Sequence, residues 1–169
     1  MTNVNILDEE LYSEEKLEEE FALMIIESVD ATDEEKKSKI KILARKIADK
    51  FSSYKEKAVE LLKDSEGLDK LLEQIEKKMQ KLGAKGEDIV YIPEMVMLIR
   101  SYIIKEYTDI SLAKIVLIMA ALIYYVSPLD VIPDSIPFVG LLDDAIVAKT
   151  VMLWCDEEID QYMEWRKTK

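Results

Sequence analysis

Between Tyr124 and Asp144 the chain reads YYVSPLDVIPDSIPFVGLLDD, and this stretch decides how the segments on either side of it are arranged. Three prolines (Pro128, Pro133, Pro137), one glycine (Gly140) and four aspartates (Asp130, Asp134, Asp143, Asp144) stand between two apolar segments. Each proline fixes its own φ, removes a backbone donor and drives the preceding residue toward an extended shape, so no ordinary helix runs through the stretch. It reads as a built connector. Upstream, the run IVLIMAALIYYV from Ile115 to Val126 has no charge and no polar face, which places it inside protein or inside lipid. A bilayer span takes roughly 20 apolar residues. This run is shorter, bounded by Lys114 and by the Pro128 turn with Asp130 close behind, so burial in protein is favoured. Downstream, Asp143 and Asp144 stand near the start of a final helix running toward Lys167, where their charge suits the positive end of the helix dipole.

Working back toward the N-terminus, helical spacing dominates. Leu7, Leu11, Phe21, Ile25 and Val29 recur among many glutamates and predict an amphipathic helix. Thr32 and Glu35 have the spacing of a capping box and start the next one. There Ile40, Leu43, Ile47, Phe51, Tyr54, Ala58 and Leu61 alternate by threes and fours, and Leu68, Leu72, Ile75, Met79 and Leu82 continue the pattern beyond Ser65-Glu66-Gly67. This coiled-coil-like seam predicts the core of an antiparallel hairpin turning at Gly67, with one long helix bent at Gly67, or pairing of two chains through residues 40–82, as the alternatives. Residues 84–88 read as a linker, Pro93 as the first residue of a helix carrying Val96, Ile99, Tyr102 and Ile103 on one face, and Thr108 or Asp109 as the cap of the apolar helix.

Composition removes whole classes of chemistry. The sequence has no histidine and one cysteine, Cys155, so disulfide frameworks, Cys/His zinc sites and imidazole-dependent triads are excluded. Cys155 lies in TVMLWCDEE among apolar neighbours and acids and reads as a buried, inert thiol. With 35 acids against 23 bases the net charge is -12, which repels phosphate backbones and makes nucleic acid an unsuitable partner. Only 4 glycines and 4 prolines serve 169 residues, too few for the turns of a sandwich or barrel, so the expected fold is all-α. The acidic start MTNVNILDEELYSEEKLEEE lacks a basic region followed by an apolar one, and a cytoplasmic location is expected.

The pattern Y-x-x-x-P-x-D-x-I-P-D-x-x-P-x-x-G-x-x-D-D, carried by Tyr124, Pro128, Asp130, Pro133, Asp134, Pro137, Gly140, Asp143 and Asp144, resembles the YkvA-like family, a bacterial domain of unknown function. The resemblance covers roughly the C-terminal half. It implies a helical hairpin whose arms are the Ile115 run and the helix after Gly140, and an association with membranes; it brings no reaction with it. The expected architecture is a helical bundle: an acidic hairpin or bundle region over residues 1–88 and a YkvA-like domain over 89–169, closed by the proline–aspartate connector.

Two functional readings follow. In the first the chain is a non-catalytic structural or interaction module, peripheral to a membrane surface or bound to a protein partner. Asp130 and Asp134 then accept from turn amides, while Asp143 and Asp144 cap the last helix. In the second, the alternative, Asp130, Asp134, Asp143 and Asp144 converge on Mg²⁺ or Ca²⁺, hard cations that take oxygen ligands, and a metal-dependent hydrolase becomes conceivable. The first is favoured, because the chain shows neither a phosphate-cradling glycine loop nor a nucleophile paired with a base.

Overall fold

The computed structural model describes residues 13–29, 34–82, 91–127 and 143–169. Among them are seven helices and no strand: α1 (Glu14–Val29), α2 (Glu34–Leu61), α3 (Ser65–Leu82), α4 (Ile92–Ile103), α5 (Leu112–Val126), α6 (Asp143–Trp154) and α7 (Asp156–Lys167). The all-α expectation is met. Leu7, Leu11, Thr32, the 84–88 linker and the connector from Pro128 to Leu142 lie outside the described residues.

α5 is the axis of the bundle. Every residue from Ile115 to Tyr125 is buried, and α2, α3, α4 and α6 pack around it. A helix apolar on all sides demands such a jacket, because any face left in water would expose large aliphatic side chains. Its 15 residues make about 22 Å at 1.5 Å per residue, short of a hydrocarbon core of about 30 Å. Among the described residues no helix is long and apolar enough to cross a membrane. The Ile115 run is therefore enclosed by protein.

The jacket explains where the heptad-like seam goes. Ile40, Leu43, Ile47, Phe51 and Ala58 of α2 are buried, as are Leu68, Leu72 and Ile75 of α3, yet these two helices barely touch each other. α2 packs on α1 and α5, and α3 packs on α5. The predicted mutual α2–α3 core is thus replaced by a shared one, since the uniformly apolar α5 offers each stripe more surface than the other stripe does. Leu17, Phe21, Met24 and Ile25 close α1 over α2, with the Phe21 and Phe51 rings edge to face at 5.7 Å. The buried side chains form one cluster from Leu17 to Tyr162.

Helix ends refine the sequence reading in four places. The α2–α3 turn comes at residues 62–64, one helical turn before Gly67; Asp64 caps α3 by accepting from the Gly67 amide at 3.1 Å. A Cβ at Gly67 would stand 2.6 Å from Asp64 Oδ2 and 2.7 Å from Leu61 Cδ2, so the ends of those two side chains would have to move aside. Pro93 lies in the first turn of α4 behind Ile92. α5 is capped by Ser111, whose Oγ accepts from the Lys114 amide at 3.3 Å, not by Thr108 or Asp109. Finally, the single helix expected after the connector is two, α6 and α7, broken at Cys155 (φ -110°, ψ 14°). Three acids, Asp156, Glu157 and Glu158, open the new helix, where its dipole favours negative charge. The Trp154 carbonyl accepts from Lys114 Nζ at 2.7 Å.

Candidate functional site

The two ends of α5 are fastened differently, and each fastening uses a lysine. At the N-terminal end Lys114 is enclosed: Nζ donates to the Trp154 carbonyl at 2.7 Å and lies 3.2 Å from Glu158 Oε1, with both side chains mostly covered. Beside it Cys155 is fully buried, and burial pushes its thiol up to about 12, with the nearby Lys114 charge opposing and that of Glu158 adding. The thiol is therefore protonated and unreactive at neutral pH. Further along α7, Tyr162 is locked by Ser101 at 2.6 Å and by donating to the Met97 carbonyl at 2.9 Å, tying α7 to α4. Tyr107 and Trp165 pack on the Tyr162 ring at 5.1 and 5.7 Å. Charge and polarity at this end are satisfied from within.

The C-terminal end of α5 is where the signature begins. Tyr124, its first residue, is buried, and its ring stands edge to face on Tyr54 of α2 at 5.7 Å and 86°. The Tyr54 hydroxyl in turn meets Ser127 Oγ at 2.7 Å. Thus the first signature residue and the start of the connector are both clamped by one tyrosine from the N-terminal half. Lys78 of α3 reaches the same end: its Nζ donates to the Tyr125 carbonyl and stands 4.3 Å from the centre of the Tyr125 ring. The last carbonyls of a helix have no intrahelical partner and carry the negative end of the dipole, so an ammonium here is well placed.

Where α2 and α3, which barely touch, both pack on α5, a groove of about 470 Å³ lies at this end. Leu61, Leu71, Ile123 and Val126 supply its apolar surface, while Tyr54 and Ser127 contribute hydroxyls. Its cations are Lys57, Lys70 and Lys78; among the described lining residues no acid faces them. Asp64, which accepts from the Gly67 amide in the lining, and Glu66 beside Lys70 offset part of that charge. Lys57 and Lys70 are exposed, and Lys70 is 3.4 Å from Glu66 one turn earlier, a surface pair of the kind that contributes little.

The described residues do not test the proposed aspartate cluster. Asp143 and Asp144 form the first turn of α6, the position expected for helix-opening acids. Asp130 and Asp134, together with Pro128, Pro133, Pro137 and Gly140, lie outside the described residues. Among the described residues no group of three or more His, Cys, Asp or Glu side chains is arranged to hold a metal ion. Sequence reading missed the lysine groove. Lys57, Lys70 and Lys78 are spread over two helices, and only Tyr54, an aromatic with a polar tip on an otherwise aliphatic seam, signalled that something polar lay beyond the core.

Comparison with known proteins falls on the same half of the chain. The model of a family described as protein of unknown function (DUF1232) matches residues 114–149, which run from the first turn of α5 through the connector into α6. The uncharacterized membrane protein YkvA of Bacillus subtilis (strain 168) is 33% identical over 78 residues, 46% of this chain and 74% of that protein. No solved structure matches.

Proposed function

The chain belongs to the YkvA-like family, and from that premise we propose that it is a non-catalytic helical interaction module that works at the surface of a membrane without crossing it. The relative is named a membrane protein. The observation that carries the reading is the enclosure of α5: its apolar residues, the natural candidates for lipid, are already covered by four helices of the same chain. Membrane contact must then be made by surface groups. Moving α5 into lipid would require stripping that jacket, exposing the apolar stripes of α2, α3, α4 and α6 to water, which is opposed by the same hydrophobic term that folds the chain.

Cell fractionation tests it. The protein is expected in the membrane fraction at low salt and in the supernatant after a high-salt wash. Retention through alkaline carbonate, which strips peripheral proteins, would overturn the surface reading, and so would absence from membranes at every salt concentration. The same reading predicts no heat on calorimetric titration with Mg²⁺ or Ca²⁺; a saturable signal would turn the argument toward Asp130, Asp134, Asp143 and Asp144 as carboxylate ligands.

A further inference from the structure

We infer that the outer face of the first half of α2 is the membrane-contacting surface: Arg45 and Lys46, with Lys39, Lys41 and Lys50 around them, take the phosphates of anionic lipid headgroups, and Ile42 enters the layer among them. The inference rests on the surface-bound reading above and names the face and the lipid class through which that binding occurs.

The first argument is how charge is distributed. The whole chain has net charge -12, yet α2 carries nine bases against five acids. The surplus lies in its first half, where seven bases stand against Glu34, Glu35 and Asp49. Two of those bases sit in surface pairs, Lys37 with Glu34 at 3.8 Å and Lys39 with Glu35 at 3.7 Å. Among the described residues Lys41, Arg45, Lys46 and Lys50 form no ion pair. At physiological ionic strength the Debye length is about 8 Å, so acids on distant faces are largely screened and the near surface decides. The acids of α1 are on such a face. Phe51 of α2 meets Phe21 of α1 at 5.7 Å. With 3.6 residues per turn, Ile42 stands about 180° around α2 from Phe51, while Glu19 and Leu23 stand about 160° around α1 from Phe21. The basic face of α2 and the acidic face of α1 therefore point away from each other, with the packed phenylalanines between them.

The second argument is the company of an exposed aliphatic side chain. Ile42 is 58% exposed although its neighbours Ile40, Leu43 and Ile47 are buried. Residues three and four apart are neighbours on a helix surface, so Ile42 is ringed by Ser38, Lys39, Arg45 and Lys46, all of them exposed. An apolar group among cations suits a helix lying in the plane of an anionic interface: the headgroups take the cations and the acyl boundary takes the apolar side chain. A free phosphate would satisfy the cations and leave Ile42 in water. The buried stripe of α2 is packed on α1 and α5, so its outer face is presented by a folded helix, without the ordering cost that a disordered basic segment meets on binding.

Sedimentation with vesicles tests the inference, using phosphatidylcholine alone and an equal mixture of phosphatidylcholine and phosphatidylglycerol. Wild-type protein should prefer the mixture. The double substitution Arg45→Gln/Lys46→Gln should lower partitioning roughly 25-fold, about fivefold for each cation near an anionic surface. Both residues are exposed, so circular dichroism should show an unchanged fold. Lys77→Gln/Lys81→Gln alters net charge equally, on exposed positions of α3, and should bind as wild type does. Ile42→Ser keeps every charge and should lower partitioning about threefold, as the loss of a partly inserted aliphatic side chain. Equal losses in the two double variants would overturn the inference, as would an Arg45→Gln/Lys46→Gln variant that binds as wild type does; in either case salt-reversible membrane binding by the wild type would leave the surface reading standing. Full binding by Ile42→Ser would overturn the seating of this face in the lipid layer. Release from vesicles by inorganic phosphate, at an ionic strength where chloride has no effect, would assign the cations to free phosphate, and a dimer in light scattering that Arg45→Gln/Lys46→Gln dissolves would assign them to a second copy; either would overturn the lipid inference. Wild-type protein that binds neither vesicle would overturn both.

Discussion

The two ends of α5 make a natural experiment in what a lysine does. Lys114 at the first turn and Lys78 beside the last each donate to a main-chain carbonyl, of Trp154 and of Tyr125. At the first end the ammonium has Glu158 at 3.2 Å, a buried cysteine next to it and an aromatic cluster further along α7, so its charge is spent inside the fold. At the other end the lysine joins two exposed lysines around an open groove. One arrangement closes a bundle, and the other fixes the end of α5 at the rim of a groove. The difference teaches that the same lysine-to-carbonyl contact seals one helix end within packed side chains and anchors the other at the edge of a groove.

The most damaging change should be one that attacks the axis both ends share. Ile118 is fully buried at the middle of α5; Ile118→Ala should lower the unfolding free energy by about 2–5 kcal/mol in urea denaturation without detergent. A null effect there would mean α5 is not the core of the water-exposed form, and the comparison of its ends would lose its basis.

Next in size is the closed end itself. Lys114→Met leaves Glu158, 27% exposed, and the Trp154 carbonyl without their cation; a loss of about 1–3 kcal/mol is expected by thermal or chemical unfolding, with vesicle binding unchanged. A variant as stable as wild type but defective in binding would move the membrane contact from α2 to this end. Cys155 reports on the same end through pH. Its thiol is pushed up to about 12 in the fold against about 8.5 in the unfolded chain, so the native state holds the proton more tightly. Its contribution is whole below about pH 8.5 and is lost as pH rises toward 12, amounting to a loss of about 2 kcal/mol by pH ~10. Cys155→Ala should flatten that alkaline decline in melting temperature, and the native thiol should resist alkylation at neutral pH; ready labelling would show that this end is open.

The smallest effect belongs to the open end. Tyr54→Phe keeps the ring against Tyr124 and removes the bond to Ser127 Oγ, so a loss of about 0.5–1.5 kcal/mol is expected from urea midpoints. A loss several times larger would place the Tyr54 hydroxyl among the main supports of the fold and would sharpen the contrast in the other direction.

Much of this could be read before any coordinates. Scarce glycine and proline with helical spacing gave an all-α chain; the uncharged Ile115–Val126 run announced a helix needing cover; the composition of the connector marked a break between two helices; and Cys155 among apolar neighbours read as inert. These are local properties, set by backbone sterics and by the periodicity of apolar side chains, so a single sequence carries them. The positions of individual caps were less legible. Ser111, Thr108 and Asp109 are all competent caps, and only the packing of α5 fixes which lies at the first turn.

What tertiary structure alone decided is the choice of partners. The seams of α2 and α3 were equally suited to each other, to a second chain or to a third helix, because an apolar stripe is not directional; the presence of α5, with more apolar surface than either, drew both. The groove and its three lysines follow from that choice, since residues of these two helices gather at one point when both pack on the same axis. Helical spacing sets which side chains share a face, and only the mutual burial of whole helices sets which faces meet.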